Sequence, residues 1–442
     1  MARRAGACFD RLERGLTGGR ALDTDARPFG FWTATALVVG GMIGSGVFLL
    51  PAALAPFGWT GALAWVVATG GALAIAYTLA RLTATMPAAS GAVAVVGAVL
   101  GAVPGLLVGW SYWIAVLAAN AAIAIAATSY LAALWPPLDA TPLTGALVAV
   151  ALIWALTLLN LGGARRAGAF QVVTTLLKLV PLAAVVVLAV FAEARGRATL
   201  PPLRLAPAGL PTAVTLALFA LVGFEAAGIA AERVRDPGRT VMRATMAGTA
   251  LTGALYILVC SAIVLLLPGS AVAASGAPFE LFVRTFAGRG SGLSVAAFAA
   301  VAAIGALNGW VLIQGELPLG MARAGLLPGW FARVSRRDVP VGVLLLASAL
   351  TSLLVLSHAT ASLSGIFTFA TLLSTCATLW LYVAVCAAAL VRRVAVVPAA
   401  AGLAFTALAF WGAGAQASGL SVVLMLTALP LYCLRGRRSR SA

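Results

Sequence analysis

The chemistry this chain offers starts with main-chain groups rather than with side chains. Residues 31–58 read FWTATALVVGGMIGSGVFLLPAALAPFG, an apolar run long enough to span a bilayer. Gly40, Gly41, Gly44 and Gly46 crowd its centre, with Ser45 between the last two. Each glycine costs about 1 kcal/mol in a helix interior. Unpaired backbone at membrane depth survives only where it lines a cavity or is covered by protein. A second run, residues 212–241, is interrupted in the same way by Gly223, Glu225 and Gly228. A broken helix presents free N–H groups at its new N-terminus, which suit a carboxylate, and free carbonyls at its new C-terminus, which suit an ammonium. Two such breaks around one site would hold both ends of a zwitterion. Tight helix packing through glycine is the plainer alternative.

Titratable side chains are scarce, which narrows the field. Of twelve acids, only Glu225 and Glu316 fall within apolar spans. Lys178 is the only lysine, about ten residues into its span, where a charge costs about 2.5–3.5 kcal/mol on insertion scales. Snorkelling toward a headgroup is its bland explanation. His358 is the single histidine and sits near a loop, so a Ser/His or metal–His centre has nothing to build on. Cys8, Cys260, Cys376, Cys386 and Cys433 are scattered without disulfide or metal spacing. No cofactor, metal or enzyme chemistry is expected.

The elements that must position these groups are membrane helices. With 62% hydrophobic and 9% charged residues, the 442-residue chain is read as an all-α integral membrane protein. About twelve spans are predicted, near 31–54, 59–83, 98–133, 142–161, 168–192, 209–231, 243–267, 292–322, 340–357, 363–391, 396–414 and 419–434. The basic N-terminus and long first apolar run argue against a cleavable signal peptide. The net charge of +17 invites a nucleic-acid partner, but sorting the 29 basic residues by loop puts 23 on one face and five, Arg195, Arg197, Arg204, Arg284 and Arg289, on the other. That is the positive-inside pattern, so both termini are expected in the cytoplasm, and the basic tails face anionic lipid rather than nucleic acid. Breaks in the first and sixth spans are what a 5+5 inverted repeat predicts. The organisation expected is a cytoplasmic segment 1–28, repeats at 29–192 and 208–391, two further helices at 396–434, and a cytoplasmic tail at 435–442.

GGMIGSGVFLLPA at 40–52, MPAASGA at 86–92, YWIAVLAANAAI at 112–123, FALVGFEAAGIAAERVRDPGRT at 219–240 and GALNGWVLIQGELPLGMARAGLLPGWFARV at 305–334 resemble, in order and spacing, the amino acid–polyamine–organocation permeases. The likeness runs over roughly 28–435 and is nearest the group that exchanges basic amino acids and polyamines. It implies a binding site. Ser45 and Gly46 would hold the substrate carboxylate, and the carbonyls of Met42, Phe219 and Val222 the α-ammonium. Asn120 would reach the substrate side chain, with Ala115 and Ile123 on the same wall and Trp310 lining the deeper pocket. Glu225 would serve gating, while Lys178 resembles the helix-five lysine of proton-coupled members; Glu316 is a candidate partner for it. Bridging helices, for Asn120, and plain packing, for Trp310, are the alternatives. Phe219, Val116 and Ile123 stand where guanidinium-exchanging members carry tryptophan, cysteine and methionine, so arginine specificity does not follow.

The resemblance implies an amino acid permease of the inner membrane, exchanging or proton-linked, working by alternating access, with a homodimer suggested by related antiporters. An amine carrier or an exporter of the same fold is the alternative, and a membrane-embedded enzyme is the rival from another class.

Overall fold

The computed structural model describes residues 31–44, 46–86, 91–162, 177–197, 199–225 and 237–435. Ser45 and Gly228, the segment 1–28, and parts of the fifth and sixth predicted spans lie outside them. Among the described residues every regular element is helical. This is what an apolar chain must do in lipid, because a helix pairs its backbone groups within one segment.

The first predicted span is two helices, α1 (Phe31–Met42) and α2 (Gly46–Leu54). A short 3-10 turn at Ala55–Phe57 leads into α3 (Gly58–Ala84). Then come α4 (Ala92–Leu100), α5 (Ala102–Leu134) and α6 (Pro142–Leu161). Thr141 caps α6 by accepting from the Thr144 N–H at 3.1 Å, with proline next in line. The described part of the fifth span is α7 (Leu179–Ala194), and that of the sixth is α8 (Leu210–Leu221). The second half of the chain runs through α9 (Pro237–Leu266), α10 (Gly269–Ala273), α11 (Pro278–Ala287), α12 (Arg289–Arg323), α13 (Val341–Leu356), α14 (Leu363–Val391), α15 (Val396–Leu426) and α16 (Ala428–Arg435).

Seven helical stretches among the described residues are long and apolar enough to cross a membrane, and three shorter apolar helices, Leu179–Ala194, Pro207–Leu221 and Val341–Leu356, accompany them. The protein is therefore a multi-pass membrane protein. The last long stretch, Val396–Cys433, contains both final predicted spans. Within α15 the residue with non-helical backbone is Gly414, at φ 78° and ψ 169°, which marks the end of the first of them.

At the centre stands α5, whose residues from Gly105 to Tyr130 are almost all buried. A helix apolar all round belongs inside a bundle, and its run of alanines lets neighbours approach closely. It packs chiefly against α12 and α14. Trp113 donates its indole N–H to the Gln314 carbonyl of α12 at 2.8 Å, and Ser111 its hydroxyl to Ala377 of α14 at 2.8 Å. The two interrupted helices lie against this core.

Candidate binding site

The two interruptions meet. Helix α1 ends where the Ile43 N–H reaches the Val39 carbonyl at 2.8 Å and the Gly44 N–H turns back to Met42 O at 2.7 Å. Helix α8 ends at Val222, whose backbone is extended at φ −63° and ψ 139°. Gly223 follows at φ +118°, and a Cβ placed on it would lie 3.0 Å from the carbonyl oxygen of Gly41. Only glycine combines that φ with so close an approach. The first turn of α2 and the last turn of α8, which the Val222 N–H closes on the Leu218 and Phe219 carbonyls at 3.2 and 3.4 Å, both line one region.

That region is a narrow cavity of about 20 Å³, room for little more than one water molecule. From the breaks, Met42, Gly46, Phe219 and Val222 line it; from α5 come Ala115 and Ile123, and from α12 comes Trp310. Seven residues chosen from the sequence therefore converge on one void. Phe219 keeps the void small: a Cβ on Gly46 would lie 2.6 Å from its ring carbon Cε1. The ring also meets Phe367 of α14 edge-on at 6.3 Å. The Met42 carbonyl accepts from both the Tyr256 hydroxyl at 2.9 Å and the Gly44 N–H, so it is fully engaged in this conformation.

Three polar lining residues escaped the sequence reading: Tyr112 of α5, and Ser374 and Thr378 of α14. The serine and threonine are four apart, which places both hydroxyls on one helix face, and that spacing was the available signal. Ser374 donates to the Ala115 carbonyl at 2.9 Å, and Thr378 to the Ser374 carbonyl at 2.9 Å.

Asn120 stands behind the lining instead of within it. Its amide nitrogen donates to Gln314 Oε1 at 2.7 Å and approaches the Trp310 carbonyl at 3.4 Å. Gln314 in turn donates to Ser348 Oγ at 2.8 Å, and Ser348 pairs with Thr157 at 2.7 Å. This chain ties α5, α12, α13 and α6 together. Asn120 Oδ1 is buried and has no hydrogen-bond partner.

Glu225 is held just beyond the second break. The Tyr112 hydroxyl donates to Oε1 at 2.6 Å, while the Gly223 N–H and the Tyr382 hydroxyl approach Oε2 at 3.1 and 3.4 Å. Phe224 stacks on Tyr382 at 5.3 Å. The carboxylate so joins the end of α8 to α5 and α14. Lys178, directly before α7, is only 3% exposed. The ion pairs among the described residues are Arg284–Glu280 and Arg323–Asp338. Lys178 and Glu316 do not pair; Glu316 is exposed on α12, toward the Arg323–Asp338 end.

A profile of the amino acid permease family matches residues 29–433. The chain is 31% identical over 341 residues to a cadaverine/lysine antiporter of Escherichia coli, covering 75% of this chain and 76% of that protein. It is 28% identical over 364 residues to a putative arginine/ornithine antiporter of Bacillus subtilis, covering 75% and 77%. A putrescine transporter of Haemophilus influenzae is 26% identical over 340 residues, covering 75% and 77%.

Proposed function

The chain belongs to the amino acid permease family, whose relatives here are transporters rather than enzymes, and from that premise we propose how this secondary transporter of amino acids or amines reads its cargo. The α-carboxylate is held by main-chain N–H groups at Ser45–Gly46, the start of α2. The α-ammonium is held by carbonyls at the end of α8, at Phe219 and Val222. The observation that carries the reading is the contact of the two interruptions, Gly223 on Gly41 and Phe219 on Gly46, around one cavity.

Selection among cargoes falls to Trp310 and to Asn120, whose unpartnered Oδ1 supplies a buried acceptor. That acceptor also favours a second reading, in which a diamine is the cargo or the exchange partner; two of the relatives carry cadaverine or putrescine by name. The wall at Ile123 is aliphatic and the phenyl of Phe219 attracts a cation less than an indole would, which supports a lysine-like or aliphatic side chain over a guanidinium.

The wider architecture is read as twelve spans in the inner membrane, with both termini cytoplasmic. Residues 29–192 and 208–391 form two inverted five-helix repeats, 396–434 supply two further helices, and the assembly is a homodimer. Glu225 couples the second break to the bundle, and Lys178 links transport to protons or to exchange. Counterflow in proteoliposomes, competed in turn with the twenty amino acids and common amines, tests the reading. A ranking led by one amino acid group supports it, and no competition by any amino acid or amine sinks it.

A further inference from the structure

Away from the central cavity, α3, α7 and α9 enclose an apolar groove of about 580 Å³, within the roughly 300–1,000 Å³ of ligand clefts. Beside it lies a recess of about 610 Å³, lined by Arg197 and Arg204. The two share Trp59, Leu265 and Leu266 as a common wall. We propose that groove and recess together bind one anionic phospholipid, its acyl chain along the groove and its phosphate at Arg197 and Arg204.

Three observations support that occupant. The connecting segment is built against α3: Trp59 donates its indole N–H to the Pro201 carbonyl at 3.0 Å, and the Ala206 N–H donates to Thr60 Oγ1 at 2.8 Å. The same segment turns Leu200, Leu203 and Leu205 outward, at 52%, 70% and 53% exposure, beside the groove they line. Three exposed leucines next to an apolar groove suit an acyl chain, not water. The charge at the mouth is positive, two guanidiniums against the single carboxylate of Glu193. Neither arginine enters an ion pair among the described residues. Three of the five basic residues on the arginine-poor face fall in this one segment, and guanidinium matches phosphate oxygens in a fork.

Native mass spectrometry of the delipidated protein tests this, titrating phosphatidylglycerol and phosphatidylcholine of equal chain length. One phosphatidylglycerol should bind about thirtyfold more tightly than phosphatidylcholine, as two near-surface arginines imply. Arg197→Gln with Arg204→Gln should abolish that preference, and Arg197→Lys with Arg204→Lys should keep it. Equal binding of the two lipids, or an unchanged preference in the glutamine variant, overturns the proposal. Displacement of the lipid by glycerol 3-phosphate also overturns it, since the site would then be one for a free anion. The inference rests on membrane embedding alone, so its failure leaves the transport reading untouched.

Discussion

The Phe219 ring lies over Gly46 so closely that a Cβ on the glycine would stand 2.6 Å from the ring edge. The residue that starts α2 after one break is thus covered by the last turn of α8 before the other. The closed cavity, about 20 Å³, is too small for an amino acid, so admitting cargo requires the ring to swing aside.

Gly46→Val should weaken substrate binding by about tenfold or more, the equivalent of about 1.4 kcal/mol, because the added side chain stands where the carboxylate must approach, with the purified protein still monodisperse. Adding Phe219→Leu removes the clash with the ring but leaves a side chain where the carboxylate must approach. Binding should stay lost in the double variant. Its recovery would make Gly46 a packing residue only.

Gly223→Ala should lower stability by about 1–3 kcal/mol, the usual cost of a non-glycine residue in a backbone region that only glycine favours. Thermal unfolding in detergent reads this out. An unchanged midpoint would mean that the second break tolerates a side chain and that the approach to Gly41 is not obligatory.

Tyr112→Phe removes the shortest hydrogen bond to Glu225. A bond to a charged group contributes about 1.5–3 kcal/mol, so exchange should slow by about tenfold or more if the clamp sets the orientation of the end of α8. Tyr382→Phe, at 3.4 Å, should do less. Equal and small effects from both would show that Glu225 acts without the tyrosines.

How much of this could be read from the residues differs from place to place. Glycine clusters are a local signal, so the two breaks are legible in the residues themselves, whereas the resemblance supplies Met42, Gly46, Phe219, Val222, Ala115, Ile123 and Trp310 as the residues around them. Ser374 and Thr378 are not legible in this way, because hydroxyls in membrane helices commonly bond back to their own helix, as Thr378 does, and that of Ser374 gains meaning only from α5, more than 250 residues earlier. Asn120 was visible as a polar residue in an apolar run, but its engagement with Gln314 is a tertiary choice between two buried amides. The boundary between the last two spans is legible as well: the spacing ends the first at residue 414, and the backbone leaves helical geometry at Gly414, φ 78°.

Lys178→Ala should flatten the dependence of uptake on pH, and Lys178→Met should do the same while keeping the side chain's length. The buried position, with no ion pair among the described residues, motivates this. A wild-type pH profile in both variants would leave Lys178 a structural residue.

Trp310→Leu should reorder the competition ranking, since its side chain lines the cavity directly. Asn120→Ala and Gln314→Ala should resemble each other, and the double variant should cost less than the sum of the two, as joined residues do. Additive losses across all substrates would argue that the pair does not act together on the cargo.

The most direct measurement compares each competing amino acid with its own carboxamide in proteoliposome counterflow. The two differ at the α-carboxyl group alone, the group assigned to the backbone at Ser45–Gly46. The carboxamide should fail to compete at a concentration where the amino acid competes fully. Equal competition by both would contradict it.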